Sequence, residues 1–360
     1  MQQVVSSEEL LAAALQVYEQ GKHPLTAMFG RDETLNGAGY AIYCCFEVPE
    51  KRDVHIVKGV FSAEGPLIYE SLAHAIPAAA WYEREIHDMF GLVPEGHPDL
   101  RPLVLHESFP EDFHPLRKSV AVNAKVRGER KFKIRTAKGQ GLFQVPVGPI
   151  HAGIIEPGHF RFSQAGEAML QLDAKLFFTH RGIEKAVEGK TPEEALHIVE
   201  RICGACSVAN TWSFCQAVEK AAGVAVPRRA EIIRTLLSEL ERITNHVGDL
   251  GNMPAGVGFN PAISLGSRLK EQLMRLCEAV AGNRFLRGVI VPGGVRQDIT
   301  PELIEHIHEV MDATAQGVED LAAMFREQEN FQNRVRTTGI IRNQTAKDLA
   351  MVGIGARASG

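Results

Sequence analysis

Thr191-Pro192-Glu193-Glu194-Ala195-Leu196-His197-Ile198-Val199-Glu200-Arg201-Ile202-Cys203-Gly204-Ala205-Cys206 joins a helix start to a pair of cysteines. Threonine in the cap position, proline at the first helical position and glutamate at the third form a capping box. Leu196, Val199, Ile202 and later Val208 continue as a helical stripe toward the cysteine pair. A dithiol of the disulfide-exchange type belongs just after a strand, where a lowered thiol pKa drives its chemistry. The pair here follows a helix, which argues against that use and for a helical domain.

The same stripe width recurs downstream. Pro227 opens a helix whose Ile232, Ile233, Leu236, Leu237, Leu240 and Ile243 form a broad apolar face ending near Gly248. Thr300-Pro301-Glu302 starts another, expected to run to about Glu329. Broad apolar faces on long helices predict a bundle. The first 120 residues read differently, as a small α/β unit. Ser6 or Ser7 is expected to cap a helix to about Gln20, and Tyr40–Phe46 and Val54–Val57 have the composition of strands. A loop rich in proline, histidine and acid spans 91–118. Between Ala121 and Gln140, Lys125, Arg127, Arg130, Lys131, Lys133, Arg135 and Lys138 stand against Glu129 alone, which reads as a solvated linker or a docking arm for an acidic partner. The expected fold is therefore α+β: residues 1–120 a small α/β domain, 121–140 a basic linker, and 141–360 a mostly helical bundle with a short β element.

Composition sets limits on function. At 360 residues, with 45% hydrophobic and 23% charged side chains, the chain is globular and long enough for two or three cores. A net charge of −5 argues against general nucleic-acid binding. Six scattered cysteines do not make a secreted disulfide framework, and the amino terminus has neither the basic start nor the apolar core of a signal peptide. No run reaches the ~20 apolar residues that cross a bilayer. The reduced cytosol is the expected compartment, with any membrane link made through partners.

Two thiolates three positions apart supply half of a four-thiolate site for a soft metal. No second C-x-x-C follows. On the motif alone, three uses stay open besides disulfide exchange: a soft transition-metal site, a zinc half-site completed by Cys215, His246 or Cys277, and a buried inert pair. Val291-Pro292-Gly293-Gly294-Val295-Arg296 lacks a phosphate-binding pattern.

Glu156-Pro157-Gly158-His159-Phe160-Arg161-Phe162, Thr179-His180-Arg181-Gly182-Ile183-Glu184-Lys185 and Arg201-Ile202-Cys203-Gly204-Ala205-Cys206 resemble, in order and spacing, the large subunit of NiFe hydrogenases. The form of the first two is similar to the membrane-bound, energy-converting branch, whose large subunits are also similar to the 49-kDa subunit of complex I. Trp81-Tyr82-Glu83-Arg84-Glu85-Ile86-His87-Asp88-Met89-Phe90-Gly91, Gly96-His97-Pro98-Asp99-Leu100-Arg101 and His114-Pro115-Leu116-Arg117-Lys118 resemble the complex I 30-kDa subunit. Fusion of the two modules is similar to the large subunits of the formate hydrogenlyase and hydrogenase-4 type. The resemblance covers nearly the whole chain.

That resemblance implies reversible reduction of protons to hydrogen at a NiFe centre, with electrons arriving through an iron–sulfur small subunit similar to the complex I 20-kDa subunit. It implies no iron–sulfur cluster in this chain, a ferredoxin-like subunit, antiporter-like integral membrane subunits, and attachment to the cytoplasmic face of the inner membrane through them. Cys203 and Cys206 would be two nickel ligands, Cys206 the bridging one, with Arg201 stabilising thiolates. Glu156 would pass protons, or else pair with Arg161 or Arg181. His159, Arg181, Glu184 and Asn210 would be supporting residues; in some members the position of Glu184 lies near a structural magnesium, though an ion pair with Arg181 or Lys185 is the commoner use. The family's second cysteine pair and its arginine over the metal are missing, and Asn210 replaces a histidine. The chain therefore reads as a fragment, inactive alone, with relatives lacking a working metal site as the alternative. The alternative function is a non-catalytic or quinone-coupled subunit of the NADH-quinone oxidoreductase kind.

Overall fold

The computed structural model describes residues 2–20, 23–130, 134–150 and 156–360. They form two compact units, Met1–Arg181 with Gly339–Gly360, and Gly182–Thr338. The expected linker at 121–140 falls inside the first unit.

The first unit opens with strand β1 (Gln2–Ser6), helix α1 (Leu10–Leu15) and a wider turn to Gln20. The expected helix cap at Ser6 or Ser7 is not formed. Ser6 ends a strand and its hydroxyl donates to Glu9 at 2.9 Å, because β1 finds a parallel partner far along the chain. Strands β2 (Leu25–Asp32), β3 (Tyr40–Val48) and β4 (Asp53–Phe61) complete a sheet in the order β1-β4-β3-β2, β1 parallel to β4 and the rest antiparallel. Both expected strands are present. β5 (Ile68–Glu70) precedes helix α2 (Ala79–Phe90), and β6 (Val93–Glu95) pairs with β5. The core gathers Leu10 and Ala14 of α1, Ile42, Cys44 and Phe46 of β3, Val57 of β4 and Ile86 and Met89 of α2.

One buried carboxylate organises the loop after α2. Asp88 accepts from the consecutive backbone N–H groups of Leu103, Val104 and Leu105 at 2.9, 2.8 and 3.2 Å, and pairs with Arg130 at 3.0 Å. Arg130 also donates to the carbonyls of Pro110 and Glu111, so this part of the basic stretch is tied down rather than solvated; Lys125 and Arg127 are exposed. Gly91 ends α2 in a left-handed conformation, φ 74°, which glycine adopts without a Cβ penalty. Strands β7 (Phe143–Val147), β8 (His159–Ala165) and β9 (Ala168–Lys175) make an antiparallel sheet of three, the expected short β element.

The second unit is helical, as the stripes predict. It begins with α3 (Ile183–Ala186) and α4 (Pro192–Val199), whose Thr191 capping box forms in full. α5 (Ser207–Ala222), α6 (Arg228–Asn252) and α7 (Asn260–Ala281) follow, then the two-residue strands β10 (Ile290–Val291) and β11 (Gly294–Val295), α8 (Pro301–Glu327) and α9 (Glu329–Val335). α6 runs four residues beyond its expected end. Leu196, Val208, Ile233, Leu237, Leu240, Leu276 and Val289 share one core. α6 and α7 cross where Gly251 meets Gly266, so closely that a Cβ on Gly266 would lie 2.2 Å from the Gly251 Cα. Arg234 of α6 is buried and forked onto Glu219 of α5 at 2.6 and 3.1 Å. It also donates to the carbonyls of Val291 and Gly294, while Gly293 N donates to Glu219, which explains the glycine-rich loop as a clamped turn. The short helices α10 (Asn343–Asp348) and α11 (Gly353–Ala358) belong to the first unit. Among the described residues no helix is long and apolar enough to cross a membrane.

Candidate functional site

The cysteine pair lies in the second unit, in the turn between α4 and α5. Arg201 and Ile202 follow the end of α4, and the chain turns through Cys203, Gly204 and Ala205 so that Cys206 becomes the N-cap of α5. Both thiols are free and half-buried. The Cys203 sulfur accepts from Ala205 N at 3.4 Å. Burial, a hydrogen bond with Cys203, and the negative potential of Cys203 and Glu241 push the Cys206 thiol up to about 11. A soft cation would reverse that balance, because a metal stabilises the thiolate directly.

Several polar groups hold the turn. Asn210, one helical turn into α5, donates to the Cys206 carbonyl at 2.8 Å. Asn245 of α6 donates to the Ala205 carbonyl at 2.9 Å. Glu241 of α6 accepts from Val208 N at 2.6 Å and Ala209 N at 3.1 Å, and burial raises its carboxyl above the ordinary value. Arg201 donates to the His197 carbonyl at 2.5 Å and lies 3.6 Å from Glu200.

The remaining expected residues are divided between the units. Glu156 and His159 belong to the first: Glu156 is exposed and accepts from Thr179 Oγ1 at 2.6 Å, and a ring nitrogen of His159 lies 3.2 Å from the Gly148 carbonyl. Arg181 is the last residue of that stretch, and Glu184 stands exposed in the first turn of α3 in the second unit. Lys185 pairs with Glu188 at 3.0 Å. Cys215 and Cys277, weighed as partners for a zinc site, are buried in the helical core. His246 is exposed on α6. Among the described residues, no three histidine, cysteine, aspartate or glutamate side chains converge as a metal would require. Four histidines of the first domain each place a ring nitrogen on a backbone carbonyl: His87 on Leu92, His97 on Ala80, His106 on Leu176 and His114 on Asp88.

Glu241 and Asn245 are the residues that sequence reasoning missed. A signal was there. Ile233, Leu237, Glu241 and Asn245 stand four apart on α6, so a carboxylate and an amide continue a row that begins apolar.

Comparison with known proteins divides the chain into three stretches. Residues 3–126 match the family of the respiratory-chain NADH dehydrogenase 30 Kd subunit, 181–249 the nickel-dependent hydrogenases, and 257–360 the respiratory-chain NADH dehydrogenase 49 Kd subunit. The chain is 36% identical to hydrogenase-4 component G of Escherichia coli over 340 residues, covering 92% of this chain and 61% of that protein. It is 32% identical to formate hydrogenlyase subunit 5 of the same organism over 350 residues, covering 95% and 61%. The C/D subunit of NADH-quinone oxidoreductase from Phocaeicola vulgatus is 26% identical over 360 residues, covering 95% and 69%. The chain thus spans 61% of the length of the two hydrogenase relatives. The cysteine pair falls within the nickel-dependent hydrogenase stretch, between the two stretches of complex I type. By these matches the chain carries 30 Kd, nickel-dependent hydrogenase and 49 Kd family stretches in one polypeptide, a build similar to that of group 4 membrane-bound hydrogenase large subunits.

Proposed function

We propose that this chain is the catalytic large subunit of a membrane-associated NiFe hydrogenase, reversibly reducing protons to hydrogen. The carrying observation is the Cys203–Cys206 turn: two half-buried free thiols, within the stretch that matches the nickel-dependent hydrogenases. The donor set fits a soft metal in part. Two thiolates satisfy half of a four-thiolate centre, and no further ligand joins them among the described residues. When bound, such a centre supplies redox chemistry and polarises hydrogen. This chain's own part is to present two sulfurs on a held turn.

The partners follow from the same reading: an iron–sulfur small subunit and a ferredoxin-like subunit for electrons, and antiporter-like membrane subunits for attachment to the inner membrane from the cytoplasmic side. Residues 1–120 act as the docking module of 30-kDa type and 141–360 as the metal-bearing module, with 121–140 running between them. Glu156 serves as a proton carrier, its carboxyl exposed and hydrogen-bonded to Thr179. Arg201 stabilises the thiolates beside it, Asn210 supports the backbone of the cysteine turn through the Cys206 carbonyl, and His159, Arg181 and Glu184 are supporting residues of the same reading. The second reading is a complex I-like protein without a metal, coupled to quinone; the 257–360 match and the NADH-quinone oxidoreductase relatives favour it.

The test is made on the native complex. Cys203→Ser and Cys206→Ser should each abolish hydrogen evolution and nickel retention, because a hydroxyl is a poor ligand for a soft centre. Glu156→Gln should retain nickel and slow turnover, since an amide cannot carry a proton. Unchanged metal content in both cysteine variants would transfer the case to the quinone-coupled reading.

A further inference from the structure

Helix α5 does not cap itself. Its first-turn N–H groups need acceptors, and the side chain at its N-cap, Cys206, makes no capping bond. The next residue in sequence, Ser207, is of a type that caps helices well, yet it lies one position too late. The acceptor comes instead from α6, where Glu241 spans Val208 N and Ala209 N with its two oxygens. One turn further along the same helix, Asn245 takes the Ala205 carbonyl. With Asn210 on the Cys206 carbonyl, the backbone from Ala205 to Ala209 is held at four points, and none of those bonds uses a sulfur.

The charge of Glu241 fits that duty. Among the described residues no lysine or arginine pairs with it, so the favourable partners for its ionised form are the two amides at the positive end of α5. A cap supplied from another helix leaves the N-cap side chain free of capping duty, and that side chain is the second thiol.

We infer that Glu241, assisted by Asn245, is the positioning residue of the Cys203–Cys206 turn, fixing where both sulfurs point without entering the ligand set. The inference rests on the reading of the pair as ligands for a soft metal. It assigns Glu241 a role in loading metal that a residue of the apolar core would not have.

The experiment uses the full 360-residue chain and two probes of the thiol pair. Cobalt(II) is titrated anaerobically while the thiolate-to-cobalt absorption in the near ultraviolet is followed, with Cys203→Ser and Cys206→Ser as controls. A trivalent phenylarsenical, which bridges two thiols held at a suitable spacing without any metal, is titrated separately. Glu241→Gln keeps the shape and one acceptor oxygen but turns an amide toward the second N–H. It should weaken both probes about threefold at an unchanged thermal midpoint, and Glu241→Ala or Asn245→Ala about tenfold. A merely structural cap would lower the midpoint and leave probe affinity unchanged while the chain is folded. Glu241 variants that bind both probes as the parent does overturn the inference. Absence of the cobalt band in the parent would sink the metal reading alone, since the arsenical still measures whether Glu241 positions the pair. If Glu241→Ala fails to fold, the isosteric Gln variant and Asn245→Ala decide the matter.

Discussion

Replacing Gly266 by alanine tests the helical unit where it is packed most closely. The new Cβ would lie 2.2 Å from the Gly251 Cα and 3.1 Å from its nitrogen, all of it backbone that no side-chain rotation can move. Carbon atoms rest about 3.5–4.0 Å apart, so the α6–α7 crossing must open by roughly 1.3 Å or more. Leu269 and Leu273 of α7, with Val247 of α6, fill the interface beside it and are buried. Opening a packed interface by 0.5–1 Å already forfeits about a quarter to a half of each contact's dispersion energy. Overpacking of this kind costs ~1–3 kcal/mol, and alanine's better helix propensity returns about 1 kcal/mol. The sum is a destabilisation of up to about 2 kcal/mol, the upper figure applying when the helices cannot separate freely. Trp212 packs on the helical core and Trp81 stands on α2 in the other unit, so a Trp81→Phe background makes Trp212 fluorescence a reporter of the second unit alone. Urea unfolding should show a lower midpoint with an unchanged slope. A midpoint equal to or above that of the parent would refute the close-crossing argument.

Other positions give sharp contrasts. Gly204, between the two cysteines, meets no atom within 4 Å of an added Cβ, so Gly204→Ala should leave the unfolding midpoint within about 0.5 kcal/mol of the parent. Asp88→Ala should destabilise the first unit by about 3–5 kcal/mol, because it leaves Arg130 buried without its counter-charge; Trp81 fluorescence in a Trp212→Phe background reads it. Arg234 holds the Glu219 carboxyl below its ordinary value. The sign follows: the pair's contribution is complete above the unfolded carboxylate pKa and disappears as pH falls through the depressed folded value, so acid titration of Trp212 fluorescence should lose this term in Arg234→Met.

Local chemistry made much of the fold readable. The Thr191 capping box and the runs of β-branched and aromatic residues at 40–46 and 54–57 state their structure within a few residues, and each forms where expected. What failed to show was non-local. Ser6 carries a good cap side chain, yet its backbone is claimed by a parallel partner: Ser6 pairs with Val60 across the sheet. α5 and α7 start after Cys206 and Phe259, neither of which is a capping residue, so the local marks, Ser207 and the proline in the first turn of α7, stand without a side-chain cap before them. Arg130 looks like one more charge of a basic stretch, and only the fold brings it to Asp88. The candidate site divides in the same way. The cysteines announce themselves by spacing, whereas Glu241 and Asn245 reach them across intervals of 32 to 40 residues.

Those intervals set an order of events. During synthesis the two thiols emerge ahead of Glu241 and Asn245, and until α6 has docked the start of α5 lacks the carboxylate cap and the amide that come from that helix. The pair therefore spends the early life of the chain as two independent, mobile nucleophiles, open to oxidation or to the wrong ion. Its defined geometry is a late product of folding, reached only when α6 lies against it. Whatever fills the site must meet a chain whose second unit is already assembled.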